Sequence, residues 1–162
     1  MEQSKSEEQT TELEILEFKA GGNHYGIKVS DISEILPYNM KLTPVPNSHP
    51  LLEGIVMPRD FLIPIIDLVK YLNLADVDNL KKDMLIVTGI YNMNIAVHVD
   101  SVAGIHRINR SELTKPGKKL STSVKGVVSD IFTINGRNIE LLDFTKIIND
   151  INPELANSIT NS

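Results

Sequence analysis

The hydrophobic and polar positions of the chain form short alternating or apolar runs, separated by turns rich in glycine, asparagine and proline. Such runs, with many isoleucines and valines, predict β-strands. The predicted strands cover 13–18, 24–29, 40–45, 61–66, 84–88, 94–100, 124–134 and 137–142, and a further apolar run covers 102–108. Pro64 predicts that 61–66 is an edge strand or contains a bulge. Asn135-Gly136 is the strongest hairpin signal.

Helical patterns are short. Asp31 and Glu34 have the spacing of a capping box, which predicts a short helix over 30–36 that Pro37 ends. Two more helices are predicted over 68–72 and 143–149, each starting next to an aspartate, Asp67 or Asp143. The elements together predict a mainly β protein with a few short helices, one of them near the C-terminus.

The pattern occurs twice along the chain. The apolar positions between Ile15 and Ile35 have counterparts 70 residues later, and the offset grows to 72 at Gly54 and Gly126 and to 76 at Asp67 and Asp143. Two copies are too few for a solenoid. We therefore predict two small barrels or sheets packed side by side, with an apolar groove between them that could take a helix from a partner.

Composition narrows the class of protein. The chain has 162 residues, of which 41% are hydrophobic, so it can bury a substantial core. The net charge of -5 argues against a general affinity for nucleic acid or anionic lipid. There is no cysteine, which excludes disulfides and thiolate metal sites and favours a cytoplasmic location. The N-terminus lacks the apolar segment of a secretion signal, and no run is long enough to insert into a membrane.

The search for catalytic motifs gives little. Asp67 and Asp143 could form an acid and base pair, as in a small hydrolase, but their positions before helical patterns favour a capping role. The four histidines, His24, His49, His98 and His106, lack metal-ligand spacing, and a structural or surface role is expected for each. No cofactor-binding fingerprint occurs. We therefore predict no catalytic, cofactor or metal site.

Arg59 is the most unusual residue in the pattern. It lies in the interruption Met57-Pro58-Arg59-Asp60 between two strongly apolar strands, where its neighbours would hold it in place. A guanidinium in such a turn suits a grip on a partner's carboxylate. An intramolecular salt bridge to Asp60 or Glu34 is the alternative.

A family resemblance rests on several short motifs. They are Glu34-Ile35, Gly54-Ile55-Val56, Arg59, Ile63-Pro64-Ile65-Ile66-Asp67-Leu68, His98-Val99-Asp100 and Leu141-Leu142-Asp143. In this order they resemble the CheW family of bacterial chemotaxis coupling proteins, from about Thr11 to Glu154. The ending from Leu142 to Glu154 is most similar to the N-terminal domain of CheV. The turn at Met57 to Asp60 departs from the common Asn-Leu-Arg-Gly pattern but keeps the arginine.

The resemblance implies two SH3-like five-stranded β-barrel subdomains packed side by side, with short helices including a C-terminal one. We expect a disordered tail at 1–11, a CheW-like domain at 12–152 and a tail or linker at 153–162. Within the domain, subdomain 1 would cover about 12–80 and subdomain 2 about 81–152.

The resemblance also implies a non-enzymatic adaptor in the cytoplasm, associated with membrane-bound receptor arrays. Its partners would be the cytoplasmic tip of methyl-accepting chemoreceptors and the regulatory domain of the histidine kinase CheA. A CheV-type coupling domain is the first expectation, and a stand-alone CheW adaptor is the alternative. The positions matching family contact residues are Arg59, Glu34, Ile32 and Gly54, with Val99 and Asp100 as weaker candidates. Core packing could equally explain Ile32, and close backbone approach could explain Gly54.

Overall fold

The computed structural model describes residues 11–75, 84–90 and 92–151. The described ranges contain ten strands: β1 (Glu12–Ala20), β2 (Asn23–Lys28), β3 (Ile32–Pro37), β4 (Leu52–Val56), β5 (Ile63–Ile66), β6 (Met84–Ile90), β7 (Met93–Val99), β8 (Ser101–Asn109), β9 (Val128–Ile134) and β10 (Arg137–Leu142). Two short helices, α1 (Leu68–Tyr71) and α2 (144–151), follow β5 and β10. The predicted mainly β fold is confirmed. Apart from Thr11, the predicted tails lie outside the described residues.

The strands form two five-stranded sheets. Sheet A has the order β8-β1-β2-β10-β9, and sheet B has the order β3-β6-β7-β5-β4. Each sheet contains one parallel pair, β2 with β10 in sheet A and β5 with β7 in sheet B, and its other pairs are antiparallel.

Each sheet contains strands from both halves of the chain. The hairpin β1-β2 pairs with strands of the second half, and the hairpin β6-β7 pairs with strands of the first half. A short 3-10 helix, Val29–Asp31, carries the chain from β2 in sheet A directly to β3 in sheet B. The expected bounds of 12–80 and 81–152 therefore describe the sequence repeat and do not coincide with the two sheets, because the copies exchange their first hairpins.

The internal repeat is confirmed by the topology. Exchanging each strand with the one five places away in the chain, β1 with β6 and so on to β5 with β10, converts the order of sheet A into that of sheet B. The parallel pairs agree in register, since Leu141 lies opposite Gly26 in one sheet and Ile65 opposite Ala96 in the other. One predicted equivalence between the two copies, that of Gly54 with Gly126, is wrong. Ile65 and Leu141 occupy equivalent positions, and the residues opposite them are Gly54 and Asp130. The counterpart of Gly54 is therefore Asp130 and not Gly126.

The predicted helix over 30–36 is also wrong. This segment forms the end of the 3-10 helix and the strand β3, which pairs with β6. Pro64 does not lie in an edge strand, because β5 has β4 on one side and β7 on the other. Ile55, opposite Pro64, exchanges both of its backbone hydrogen bonds with Thr43 at 2.8 Å. For this reason β4 requires no N–H from the proline.

The buried side chains form three clusters. One belongs to sheet A and contains Ile15, Ile108, Phe132, Ile139 and Leu141. A second belongs to sheet B and contains Val56, Ile63, Ile65, Leu85, Val87 and Ala96. A larger central cluster includes residues of both sheets and both helices, among them Phe18, Leu68, Ile86 and Phe144. The apolar residues that join the two sheets are thus mostly packed against each other.

Candidate partner-binding surface

The turn between β4 and β5 is a 3-10 helix, Pro58–Asp60, with an unusual backbone. Arg59 has φ 51° and ψ 38°, and Asp60 has φ 67°. Two consecutive non-glycine residues in this left-handed region carry a cost of about 1–3 kcal/mol each. The flanking strands hold the turn in this shape, so the Arg59 side chain projects from a fixed base.

Arg59 forms an ion pair with Glu34 of β3. Its Nη2 donates to both carboxylate oxygens, at 2.9 and 2.7 Å. The two side chains are 68% and 32% exposed. Of the two intramolecular partners considered, Glu34 is the one that Arg59 contacts. An ion pair this exposed contributes at most about 1 kcal/mol to stability. Among the described residues only Nη2 of Arg59 forms a hydrogen bond, so the other N–H groups of the guanidinium remain able to donate.

Exposed apolar residues lie on both sides of Arg59 in the chain. Met57 and Phe61 are each 61% exposed and Leu62 is 42% exposed, so three of the most exposed large apolar residues flank Arg59. Phe61 and Leu62 also line a shallow cleft of about 220 Å³ with Pro64, Asn92, Met93 and Asn94. We call the group formed by Glu34, Met57, Arg59, Phe61 and Leu62 the Arg59 surface. An exposed apolar patch with a central charge is typical of a protein-binding site.

Ile32 and Gly54 lie near this surface in the chain, but each has a structural role. Ile32 is partly buried and packs against the central cluster. Gly54 has φ 155°, and a Cβ atom placed on it would lie 2.7 Å from the Thr43 carbonyl oxygen. The backbone approach of Thr43 therefore accounts for a glycine here.

Val99 and Asp100 lie where β7 ends. Val99 is fully buried in the central cluster, and Asp100 is 7% exposed. Asp100 Oδ2 accepts a 3.0 Å hydrogen bond from the backbone N–H of Gly22, in the turn of the β1-β2 hairpin. Val99 thus has a packing role and Asp100 accepts a hydrogen bond within the protein, and their assignment as partner contacts stays a prediction.

The two aspartates considered for catalysis cap separate helices. Asp67 accepts a hydrogen bond from the Lys70 N–H at 3.1 Å, and Asp143 accepts one from the Lys146 N–H at 3.2 Å. A polar cleft of about 310 Å³ does contain Asp31, Asp130 and Asp143. Asp130, however, is paired with Lys115 at 3.2 Å, and within the described ranges no three acidic or histidine side chains are arranged to hold a metal ion. The capping interpretation is confirmed.

A buried ionic cluster in sheet A was missed by the sequence reasoning. Glu17 on β1 is 1% exposed, and its carboxylate lies 2.7 Å from His24 Nδ1 and 2.7 Å from His106 Nε2. Arg137 Nη2 donates to the same carboxylate at 3.0 Å. Burial alone would raise the pKa of Glu17, but hydrogen bonds from His106, Arg137 and His24 outweigh it and lower the pKa to about 2. A glutamate inside the apolar run Ile15-Leu16-Glu17-Phe18 was the available signal.

A second histidine contact occurs in sheet B. His98 Nδ1 lies 3.0 Å from both carboxylate oxygens of Glu53. The ring of Tyr38 stacks on the imidazole, with the ring centroids 4.2 Å apart. His98 is 8% exposed, so this arrangement stabilises the interior of the sheet and offers no open site.

Comparison with known proteins now identifies the family. The profile described as CheW-like domain matches residues 14–152. The chain belongs to the CheW-like family. The match includes every strand from β2 to β10, most of β1 and the whole Arg59 surface, so the recognition made from the short motifs is confirmed.

Individual relatives agree with this assignment. The chemotaxis protein CheW of Thermotoga maritima is 32% identical over 142 residues, which cover 86% of this chain and 90% of that protein. The chemotaxis protein CheV3 of Helicobacter pylori is 24% identical over 161 residues, covering 93% of this chain but 51% of CheV3. The chemotaxis protein CheA of Borreliella burgdorferi is 30% identical over 132 residues, which are 14% of that protein.

A solved structure supports the fold. The scaffolding protein TtCheW from Thermoanaerobacter tengcongensis superposes with a TM-score of 0.72 at 22% identity, covering 81% of this chain and 88% of that one. None of the helices in the described ranges combines the length and apolar character required to cross a bilayer.

Proposed function

We propose that this CheW-like chain is a non-enzymatic coupling protein that holds chemoreceptors and the histidine kinase CheA in one assembly. The match of the CheW-like domain across residues 14–152 carries this proposal. Its place of action would be the cytoplasmic side of membrane-bound receptor arrays, where the receptor tip and the CheA regulatory domain are its partners.

Between the two forms of coupling protein that we considered, the relatives favour the stand-alone CheW adaptor. The CheW of Thermotoga maritima has the higher identity, 32%, and is covered over 90% of its length. The CheV3 match has 24% identity and covers 51% of that protein. The alternative drawn from the sequence is therefore better supported than the CheV-type domain that we expected first.

The Arg59 surface supplies the contact chemistry in this proposal. Phe61 and Leu62 offer apolar area beside a cleft, and Arg59 offers N–H donors that are not used by Glu34. A partner with an apolar side chain next to a carboxylate would match both features. The existing ion pair keeps the guanidinium in place, so little side-chain ordering is required at binding.

Each such contact would be weak when alone. An array of receptors and kinases raises the effective concentration of every partner, so weak contacts add up to a stable assembly without catalysis. An adaptor of this kind needs only surfaces that fit and a rigid core between them. The packed central cluster, which contains residues of both sheets, meets the second requirement.

Replacing Arg59 tests the contact. We expect Arg59→Ala to lower the apparent affinity for receptor membranes and CheA, as measured by co-sedimentation, by about tenfold. The change in free energy of unfolding should stay within about 1 kcal/mol, because the ion pair with Glu34 is exposed. Co-sedimentation and denaturant unfolding of the same preparations measure the two quantities.

Arg107→Ala is the matched control for this experiment. Arg107 is an exposed arginine on β8 of sheet A, whereas the Arg59 surface belongs to strands and a turn of sheet B. It should bind like the unmodified protein. Equal binding of the Arg59→Ala, Arg107→Ala and unmodified proteins would remove Arg59 from the contact, and failure of all three to bind either partner would contradict the proposed function.

A further inference from the structure

Met57 is largely exposed to solvent, whereas the other described methionines are partly buried. Its side chain is 61% exposed and begins the turn that carries Arg59. Met40 is partly buried against the apolar cluster of sheet B, and Met84 and Met93 are partly buried against the central cluster. Among these four thioethers, Met57 therefore presents the sulfur most open to a dissolved oxidant.

We propose that Met57 is a methionine oxidation site, and that its sulfoxide weakens partner binding at the Arg59 surface. The second half of this inference rests on the proposed function. The first half, preferential oxidation of Met57, depends on exposure alone.

The reaction is a two-electron oxygen transfer from a hydroperoxide. The thioether sulfur attacks one oxygen of hydrogen peroxide, the O–O bond breaks and an S=O bond forms, while the proton of the transferred oxygen passes to the other oxygen, which leaves as water. Sulfur is oxidised and the peroxide is reduced. A methionine sulfoxide reductase reverses the change with two thiols, which become a disulfide while the oxygen leaves as water.

The physical consequence follows from the position of the sulfur. Met57 and the exposed Phe61 flank the turn that carries Arg59, so a partner seated on this surface would cover apolar area that includes Met57. A sulfoxide oxygen is strongly polar, and covering it without a hydrogen-bond donor is unfavourable. The oxidised form should consequently bind less tightly, while the core that holds the fold is untouched.

The experiment oxidises this chain alone and then measures binding. The unmodified protein, Met57→Leu and Met57→Gln are treated with hydrogen peroxide, the peroxide is removed with catalase, and peptides are analysed by mass spectrometry. Each protein, treated and untreated, is then titrated with a receptor tip fragment and a CheA regulatory domain. A parallel treated sample is repaired with methionine sulfoxide reductase before titration.

We expect Met57 to be oxidised several-fold faster than Met40, Met84 and Met93. Treatment should weaken binding of the unmodified protein by about tenfold, and repair should restore it. For Met57→Leu, treated and untreated samples should bind alike, whatever their common affinity. Met57→Gln, which places a polar group at this position, should bind weakly without treatment.

Two results would overturn the inference. Oxidation of Met57 no faster than that of the partly buried methionines would refute the site itself. Equal binding before and after complete oxidation of Met57 would refute its effect on docking, even though the protein still couples its partners. Absence of binding by the untreated protein would instead refute the proposed function together with that effect, whereas the oxidation rates would still decide the first half.

Discussion

Glu17 is a buried carboxylate contacted by basic side chains from three other strands. His24 comes from β2, His106 from β8 and Arg137 from β10. Together they hold the pKa of Glu17 near 2, below its ordinary value of 4.5. A carboxylate with a lowered pKa in the folded state stabilises the fold above its unfolded pKa, and this stabilisation is lost as the pH falls towards the folded pKa.

The pH dependence of Glu17→Gln tests this linkage. Because the folded pKa is about 2 and the ordinary value is 4.5, the stabilisation by Glu17 should be complete above about pH 4.5 and decline between pH 4.5 and 2. At pH 7 the variant should lose on the order of 2 kcal/mol of unfolding free energy. The difference between the two proteins should shrink as the pH falls through this window.

Denaturant unfolding at pH 7, 4.5 and 3 measures that difference. Asp130→Asn is a suitable control, because Asp130 is a carboxylate of the same sheet whose partner, Lys115, is 85% exposed. Its effect should be small at every pH. A constant difference between unmodified and Glu17→Gln protein across the three pH values would contradict the linkage.

At the residue scale, the sequence predicts isolated features better than contacts. Arg59 could be singled out because a charged residue interrupted an apolar run, and Glu34 was among its considered partners. The contacts of the Glu17 cluster could not be predicted in the same way, since its three basic residues lie 7, 89 and 120 positions after Glu17 in the chain. Only the strand order of sheet A brings them together.

Backbone geometry at two glycines inside strands, Gly54 in β4 and Gly104 in β8, gives a prediction at the scale of the elements. Gly54 combines φ 155° with a Cβ position 2.7 Å from the Thr43 carbonyl, whereas Gly104 has φ 154° and open space around it. Gly117 has neither feature. We expect Gly54→Ala to lower the unfolding free energy by about 2–4 kcal/mol, Gly104→Ala by about 1–2 and Gly117→Ala by less than about 0.5.

Thermal unfolding of the three variants distinguishes the cost of a positive φ from the cost of a Cβ clash with the Thr43 carbonyl. Partner binding then distinguishes these structural effects from a direct contact of Gly54 with a partner. If the role of Gly54 is structural, folded Gly54→Ala protein should bind its partners as the unmodified protein does. Unchanged stability with lost binding would instead favour the contact role that the family resemblance implied for Gly54.

The wrong helix over 30–36 shows why short elements are hard to predict. Ile32, Ile35 and Leu36 have helical spacing, and Asp31 and Glu34 look like a capping box. In the structure β3 alternates partly buried and exposed side chains, but Glu34 lies on the partly buried face and Ile35 on the exposed face. The apolar residues therefore lack the alternation along the sequence that would have predicted a strand. Asn135 and Gly136, by contrast, both have positive φ, at 51° and 76°, so the hairpin that they predicted depends on local geometry alone.

At the scale of the whole molecule, the repeat could be predicted and the exchange of hairpins could not. The similarity of the two copies can be read from the sequence. Because the strands of both copies have similar apolar faces, however, the strands of either copy could complete either sheet. The short connection at Val29–Asp31, which leads from sheet A to sheet B, decides between these arrangements. The central cluster then combines residues from both copies.

This exchange predicts that the two sequence repeats cannot fold separately. A fragment of residues 1–80 contains β1 and β2 without the other strands of sheet A, and β3 to β5 without β6 and β7, which lie between them in sheet B. We expect fragments 1–80 and 81–162 to be unfolded alone at low micromolar concentration and to gain β-structure when mixed, with one cooperative unfolding transition. Circular dichroism and amide dispersion in NMR spectra measure this, with size-exclusion chromatography to detect a fragment that pairs with itself. A dispersed spectrum from either fragment as a monomer would mean that each repeat can close its own sheet, and that the exchanged hairpins are not required for folding.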